Sequence, residues 1–175
     1  MTESRFPAKT ALDPIGRRYD WVPNWLLDLL DLYVNRDGCR TPMQLDSSAN
    51  AGFCPRGAAP WLPVPDSYQT INVEVQSAAD DSLLNLYKSL LNLRRDYPAL
   101  QAGTIHLLEE AETERDLLGF RRGEDILVLI NFGDTTTTFR NRSGCGQVLL
   151  KVGMEELPDP ELVRLPPYSG VVLSN

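Results

Sequence analysis

The sequence predicts a mainly β protein, with an antiparallel β-sandwich at its C-terminal end preceded by a loop-rich, partly helical segment. Three observations carry that reading. From Thr104 onward, short runs with a two-residue apolar period alternate with turn residues, the pattern of stacked antiparallel strands. Residues 80–97 instead repeat leucines at helical spacing. Residues 35–79 are rich in proline and glycine and have little period of either kind.

Taken in order, residues 1–22 are polar and broken by Pro7 and Pro14, and read as an extended lead-in with a turn at Asp13-Pro14-Ile15-Gly16. Residues 23–34 predict a short helix, with Asn24 as N-cap and Asp28 and Asp31 on the wet side. The stretch 35–79 is long for a loop in a compact domain, and such length usually accompanies function. Residues 80–97 predict a helix capped by Asp80 or Asp81, carrying Leu83, Leu84, Leu86, Tyr87, Leu90, Leu91 and Leu93 on a broad apolar face. Arg94 and Arg95 suit its last turn, and Pro98 ends it.

Strands are expected at 104–109, 116–121, 125–132, 135–140, 147–151, 162–165 and 170–174. Arg122-Gly123-Glu124 makes a hairpin turn, and residues 141–146 a longer one. Ile126 to Ile130 is continuously apolar, which places it as a central strand buried on both faces. The threonine run 135–138 suits an outer strand. The predicted domains are 1–100 and 103–175.

Bulk composition narrows the function classes. Apolar residues make up 42% and charged residues 23% of the 175, which is globular composition. Seventeen basic against 24 acidic residues give a net charge of −7, and the basic pairs are scattered, so nucleic acid and anionic membrane are not expected partners. No apolar run approaches the roughly 20 residues that span a bilayer. Three cysteines and no recognisable secretory leader point to free thiols in the cytoplasm. With a single histidine, His106, and no paired cysteines, neither a metal site nor another cofactor is expected.

The segment Arg36-Asp37-Gly38-Cys39-Arg40-Thr41-Pro42-Met43-Gln44-Leu45-Asp46, continuing to Asn50-Ala51-Gly52-Phe53, carries the strongest functional signal. Its glycines and proline shape a loop, and that loop holds one guanidinium in place. It resembles the Arg-Asp-Gly-x-Arg-Thr-Pro-Met-Gln-Trp-Asp segment of α-glucosidases in the α-amylase superfamily, glycoside hydrolase family thirteen. Pro60-Trp61-Leu62-Pro63-Val64 and Ile71-Asn72-Val73-Glu74 match the same family in the same order. The resemblance covers most of residues 35–175. It implies that residues 1–100 are a remnant of the end of a catalytic (β/α)8 barrel, with 35–79 its active-site rim loop and 80–97 its last helix. Two departures stand out: the insertion-like run 23–34, and Leu45 where relatives carry Trp.

The resemblance also implies a role for Arg40, as a substrate-binding residue lining the subsite of the non-reducing glucose. A guanidinium fork fits a carboxylate or sugar hydroxyls bidentately. The competing reading of the residues alone is an ion pair with Asp37 or Asp46 that only staples the loop.

Retaining hydrolysis requires two carboxylates about 5–5.5 Å apart. The family holds them on strand ends upstream of this loop, where no matching segment is found here, and a barrel takes roughly 250 residues. No catalytic residue is therefore assigned. Glu109, Glu110, Glu112 and Glu114 read as a solvated acidic turn, His106 as an exposed strand position, and Trp21, Trp25 and Trp61 as anchors before sugar platforms. The expected function is the C-terminal portion of an α-glucosidase, inactive alone, meeting α-glucoside oligosaccharides only when the missing barrel is supplied. The alternative is a non-catalytic β-sandwich serving as a binding or scaffolding module. Self-association through the apolar helix faces is a further expectation.

Overall fold

The computed structural model describes residues 11–32, 35–109, 115–156, 158–159 and 161–175. Contacts divide the chain into two compact units, 1–85 and 86–175.

The first unit is short helices and ordered turns. Helix α1 (Pro14–Arg18) begins where a turn is predicted, because the Asp13 carboxylate accepts a hydrogen bond from the Gly16 amide and Pro14 occupies a first-turn position that needs no N–H. Helix α2 (Asn24–Leu29) covers only half of the predicted 23–34. Asn24 is its first helical residue and caps nothing; Asp31 turns left-handed at φ 49°, which ends the run. Two of the expected residues, 33 and 34, lie outside the described ones.

Three 3₁₀ turns follow, Arg36–Cys39, Ala49–Gly52 and Asp66–Gln69. Helix α3 (Val73–Ala78) is not predicted from the sequence. Asn72 caps it by accepting from the Val75 amide at 2.8 Å while donating to the Tyr68 carbonyl at 2.8 Å.

Helix α4 (Leu83–Asp96) is the predicted leucine helix, starting three residues later than expected. The cap is Ser82, whose hydroxyl accepts from the Asn85 amide at 3.2 Å, and neither Asp80 nor Asp81 takes that place. No residue of α4 is fully buried, and Leu83, Tyr87 and Leu91 are 59–63% exposed. Helix α5 (Pro98–Ala102) uses Pro98 as a starter, so that proline both stops one helix and opens the next.

The second unit is a two-sheet sandwich. Its large sheet has the order β1-β2-β3-β7-β5: β1 (Ile105–Leu107), β2 (Leu117–Arg122), β3 (Ile126–Asn131), β7 (Gly170–Ser174) and β5 (Gln147–Val152). Every pairing in it is antiparallel. The small sheet pairs β4 (Thr137–Arg140) with β6 (Leu162–Leu165). Since β4 and β5 belong to different sheets, residues 141–146 are a crossover between layers and not the long hairpin turn expected. Gly123, at φ 56°, does make the predicted tight turn between β2 and β3.

Strand β3 behaves as its unbroken apolar sequence demands. Leu127 and Leu129 point into the space between sheets, with Leu117, Phe139, Val163, Leu165, Val171 and Leu173. Ile126 and Val128 point the other way, against Val172 and the half-buried Tyr97, Ala99, Leu100 and Phe120. One strand thus feeds two apolar layers through its two-residue period. Arg122 fixes α5 to the sheet by donating to the Ala99 and Leu100 carbonyls at 3.3 and 3.2 Å.

Candidate carbohydrate-binding loop

Arg40 ends the 3₁₀ turn Arg36–Cys39, and that turn is held from several sides within the first unit. Asn35 caps it through its side-chain carbonyl, which accepts from the Asp37 amide at 3.0 Å. The buried Asp37 carboxylate then accepts from the Leu12 and Asp13 amides at 2.7 and 3.3 Å, through one oxygen; its other oxygen is buried without a partner. Gly16 is required for this close approach, because a Cβ there would sit 2.7 Å from that of Ala11.

Asp13 is the hub. It is fully buried, and one carboxylate oxygen receives both Arg36 Nε at 3.1 Å and Arg36 Nη2 at 2.7 Å. The second oxygen takes the Gly16 amide. The Arg36 hydrogen bond is the largest cause holding the Asp13 carboxyl down at about 2, against the opposing pull of burial; Arg36 is raised in return. Asp13 is therefore a fixed anion.

Arg40 lies at the edge of this hub. Its Nη1 is 3.9 Å from the same Asp13 oxygen, and its guanidinium carbon stands 5.2 Å from the centroid of the Trp61 ring. The side chain remains 48% exposed. Neither sequence candidate for its partner takes part. Asp37 faces the backbone of residues 12 and 13. Asp46 accepts from the Ser48 amide at 2.8 Å, and the Ser48 side chain first, with this amide second, holds its carboxyl below the ordinary range. The guanidinium is positioned from one side and keeps donor capacity for a ligand.

The rest of the loop supports that pose. The Leu45 and Asp46 amides both donate to the Ala51 carbonyl, and the Val73 and Glu74 amides to the Gln44 and Leu45 carbonyls. Asn50, Ala51 and Gly52 are all left-handed, at φ 57°, 54° and 68°. Asn50 donates from its side chain to the Pro55 and Ala58 carbonyls. Leu45, standing where relatives have Trp, is 41% exposed.

Of the other sequence candidates, Trp61 joins Arg40, while Trp21 and Trp25 are exposed. His106 is exposed on β1, 3.0 Å from the Thr104 hydroxyl. Glu109 is exposed and belongs to the second unit, and Glu110, Glu112 and Glu114 lie outside the described residues. Among the described residues no group of three His, Cys, Asp or Glu could hold a metal ion, and no helix is long and apolar enough to cross a membrane.

The family model "Alpha amylase, catalytic domain" matches residues 23–103, and that of a domain of unknown function, DUF3459, matches 109–172. The chain belongs to the α-amylase superfamily. Among its relatives, the oligo-1,6-glucosidase of Parageobacillus thermoglucosidasius is 36% identical over 111 residues, 62% of this chain and 19% of the relative. The probable oligo-1,6-glucosidase 2 of Bacillus subtilis is 35% identical over 149 residues, covering 81% and 26%. The salivary α-glucosidase of Aedes aegypti is 34% identical over 188 residues, covering 99% and 30%. A crystal structure of a MutB mutant, from crystals soaked with trehalulose, superposes at a TM-score of 0.76 with 25% identity, over 99% of this chain and 34% of that one. This α-amylase-superfamily chain thus spans between about a fifth and a third of the length of these proteins.

Proposed function

We propose that this chain is the C-terminal portion of a retaining α-glucosidase acting on terminal α-linked glucose of oligosaccharides. In that reading Arg40 binds the non-reducing glucose, and residues 1–100 belong to the catalytic domain, with 103–175 its C-terminal sandwich. The observation that carries this is the half-exposed Arg40 guanidinium, steadied by Asp13 and Trp61 in a loop that hydrogen-bonds itself into shape. A sugar hydroxyl or a carboxylate from elsewhere in the catalytic domain would complete its coordination.

Catalysis needs an acid with a raised pKa and a nucleophile beside it. Asp13 and Asp46 are held in the opposite direction, and Asp13 is buried behind two arginines. Neither of them suits the acid's part, and the reading assigns no turnover to these 175 residues alone. It also assigns a cover to the apolar face of α4. In the second unit Leu86 and Leu90 line an apolar hollow of about 340 Å³ with Ile130, Phe132, Leu150 and Tyr168. The remaining part of an α-amylase catalytic domain is the cover that reading supplies, and without it this face drives self-association. A cytoplasmic location goes with the free thiols Cys39, Cys54 and Cys145.

The test is a hybrid in which the Bacillus subtilis relative supplies everything N-terminal to its match with this chain. Hydrolysis of maltose, isomaltose or an aryl α-glucoside by the hybrid, with none by the chain alone, supports the reading. A folded hybrid that turns over none of them, though the parent relative does, refutes it.

A further inference from the structure

The sandwich carries a cleft that the α-glucoside reading does not use. It lies wholly within the second unit, has a volume of about 510 Å³, and is lined by His106, Glu109, Arg121, Arg140, Arg142 and Ser143, over a floor that includes Phe139. A second hollow of about 720 Å³ shares Arg140 and Arg142 with it and adds Glu161. Three guanidiniums converge on one opening in a chain whose net charge is −7. Clefts of this size suit small ligands, and a local field opposed to the overall charge draws anions to one place.

The side chains differ in what they have left to give. Arg121 is anchored: its Nη2 donates to the Glu124 carbonyl at 2.8 Å and lies 3.5 Å from the Glu124 carboxylate. Its Nε, however, is buried with no partner, an uncommon state for a guanidinium donor. Arg140, at the end of β4, and Arg142 form no ion pair with any described residue. The Ser143 hydroxyl is spent on Asn141 and the Cys145 amide, which fixes the backbone carrying Arg142. Among the described residues Glu109 is the one carboxylate lining the first cleft, and it has an interaction of its own. Two arginines therefore face the opening with unspent charge, and a third has an orphaned donor behind it.

We propose that this cleft is an oxyanion-binding site of the sandwich, taking the phosphoryl group of a small phosphorylated metabolite. A phosphate monoester carries nearly two charges and three acceptor oxygens at neutral pH, and each guanidinium fork can engage two of those oxygens. Lysine, with a single point charge, would not match that geometry.

Titration calorimetry of the whole chain at neutral pH and low salt, with inorganic phosphate, glucose 6-phosphate and glucose in separate arms, tests this. Phosphate and glucose 6-phosphate are expected to bind saturably with millimolar or tighter Kd, and glucose not at all. Tighter binding of glucose 6-phosphate than of phosphate makes the ligand a phosphosugar, and equal binding makes it free phosphate. The double variant Arg140→Ala, Arg142→Ala should weaken both by at least about tenfold. Arg140→Lys should give an intermediate loss, and Arg164→Ala, an exposed arginine of β6, none. All three positions are exposed, and circular dichroism checks that each variant folds. No saturable heat with either anion, a double variant within about twofold of the parent, an equal loss in Arg164→Ala, or glucose binding as tightly as its phosphate overturns the proposal.

Discussion

Replacing Arg40 by lysine separates a ligand-facing guanidinium from a loop staple, because the two roles give different numbers. The structural contacts of Arg40 are modest. Its 3.9 Å approach to Asp13 is at the limit of an ion pair, with the arginine half exposed, and contributes little. The 5.2 Å contact with Trp61 is worth about 0.5–1 kcal/mol at an exposed site, and lysine retains part of it. The first unit should therefore lose at most about 1 kcal/mol, a fall in Tm of roughly 4–8 °C for a body of this size. Tryptophan fluorescence reads it cleanly, since Trp21, Trp25 and Trp61 all lie in that unit. In the hybrid with the relative's N-terminal portion, the lost fork should cost about 2–4 kcal/mol of transition-state binding, or about 30- to 900-fold in kcat/KM. A kcat/KM within about threefold of the parent, together with a stability loss above about 2 kcal/mol, would return Arg40 to stapling the loop and remove it from the sugar site.

Four further outcomes are expected. The isolated chain should show no hydrolysis of an aryl α-glucoside or maltose; activity that survives repurification and lies within about a hundredfold of an ordinary enzyme refutes this. Leu129→Ala, between the sheets, should destabilise the sandwich by about 3–5 kcal/mol in urea unfolding, and the 63%-exposed Leu91→Ala by under about 1; similar losses for both would mean that α4 is covered in solution. The Arg36 hydrogen bond holds the Asp13 carboxyl down at about 2, below the ordinary 3.8, so its stabilisation is present above pH 3.8 and disappears as the pH falls toward 2. Asp13→Asn should flatten that part of the acid-unfolding curve followed by tryptophan fluorescence, and an unchanged curve would show that the carboxylate is not the group titrating. Limited proteolysis should cut first between Cys39 and Gln76 and leave a resistant fragment that retains α5, which Arg122 ties to the sheet; equal resistance along the chain would contradict this.

The sandwich was the legible part of this molecule. Its strands announce themselves through alternation, and β3 through the lack of it, because burial on one or two faces writes directly into the sequence. Layer assignment was not legible. Nothing local to residues 141–146 distinguishes a turn between paired strands from a crossing between sheets, and that depends on β6 reaching β4 from 22 or more residues away. Caps were half legible for the same kind of reason: Asp80, Asp81 and Ser82 all have the chemistry, and only the geometry of the first turn selects Ser82.

At the loop, the motif pointed to Arg40 but not to its partner. Asp37 and Asp46 are near in sequence, whereas Asp13 is brought in by the amides of residues 12 and 13 binding Asp37. Asp13 had been visible only as a turn residue before Pro14. The basic cleft had no sequence signal, since Arg121, Arg140 and Arg142 sit on separate strands and loops and meet only when the two sheets close.

The three left-handed residues Asn50, Ala51 and Gly52 have a consequence for how the loop meets a sugar. Asparagine and glycine accept that conformation readily; alanine does not, and a Cβ on Gly52 would stand 2.6 Å from Asp46. The chain keeps this unfavourable turn because the Ala51 carbonyl then receives two amides at once and Asn50 ties down two carbonyls further on. Its conformational freedom is thus surrendered during folding, by contacts that involve no ligand. On the proposed reading of Arg40, a saccharide would meet a rim ordered before it arrives, so selectivity there would rest on the fit of the guest and not on rearrangement of the host.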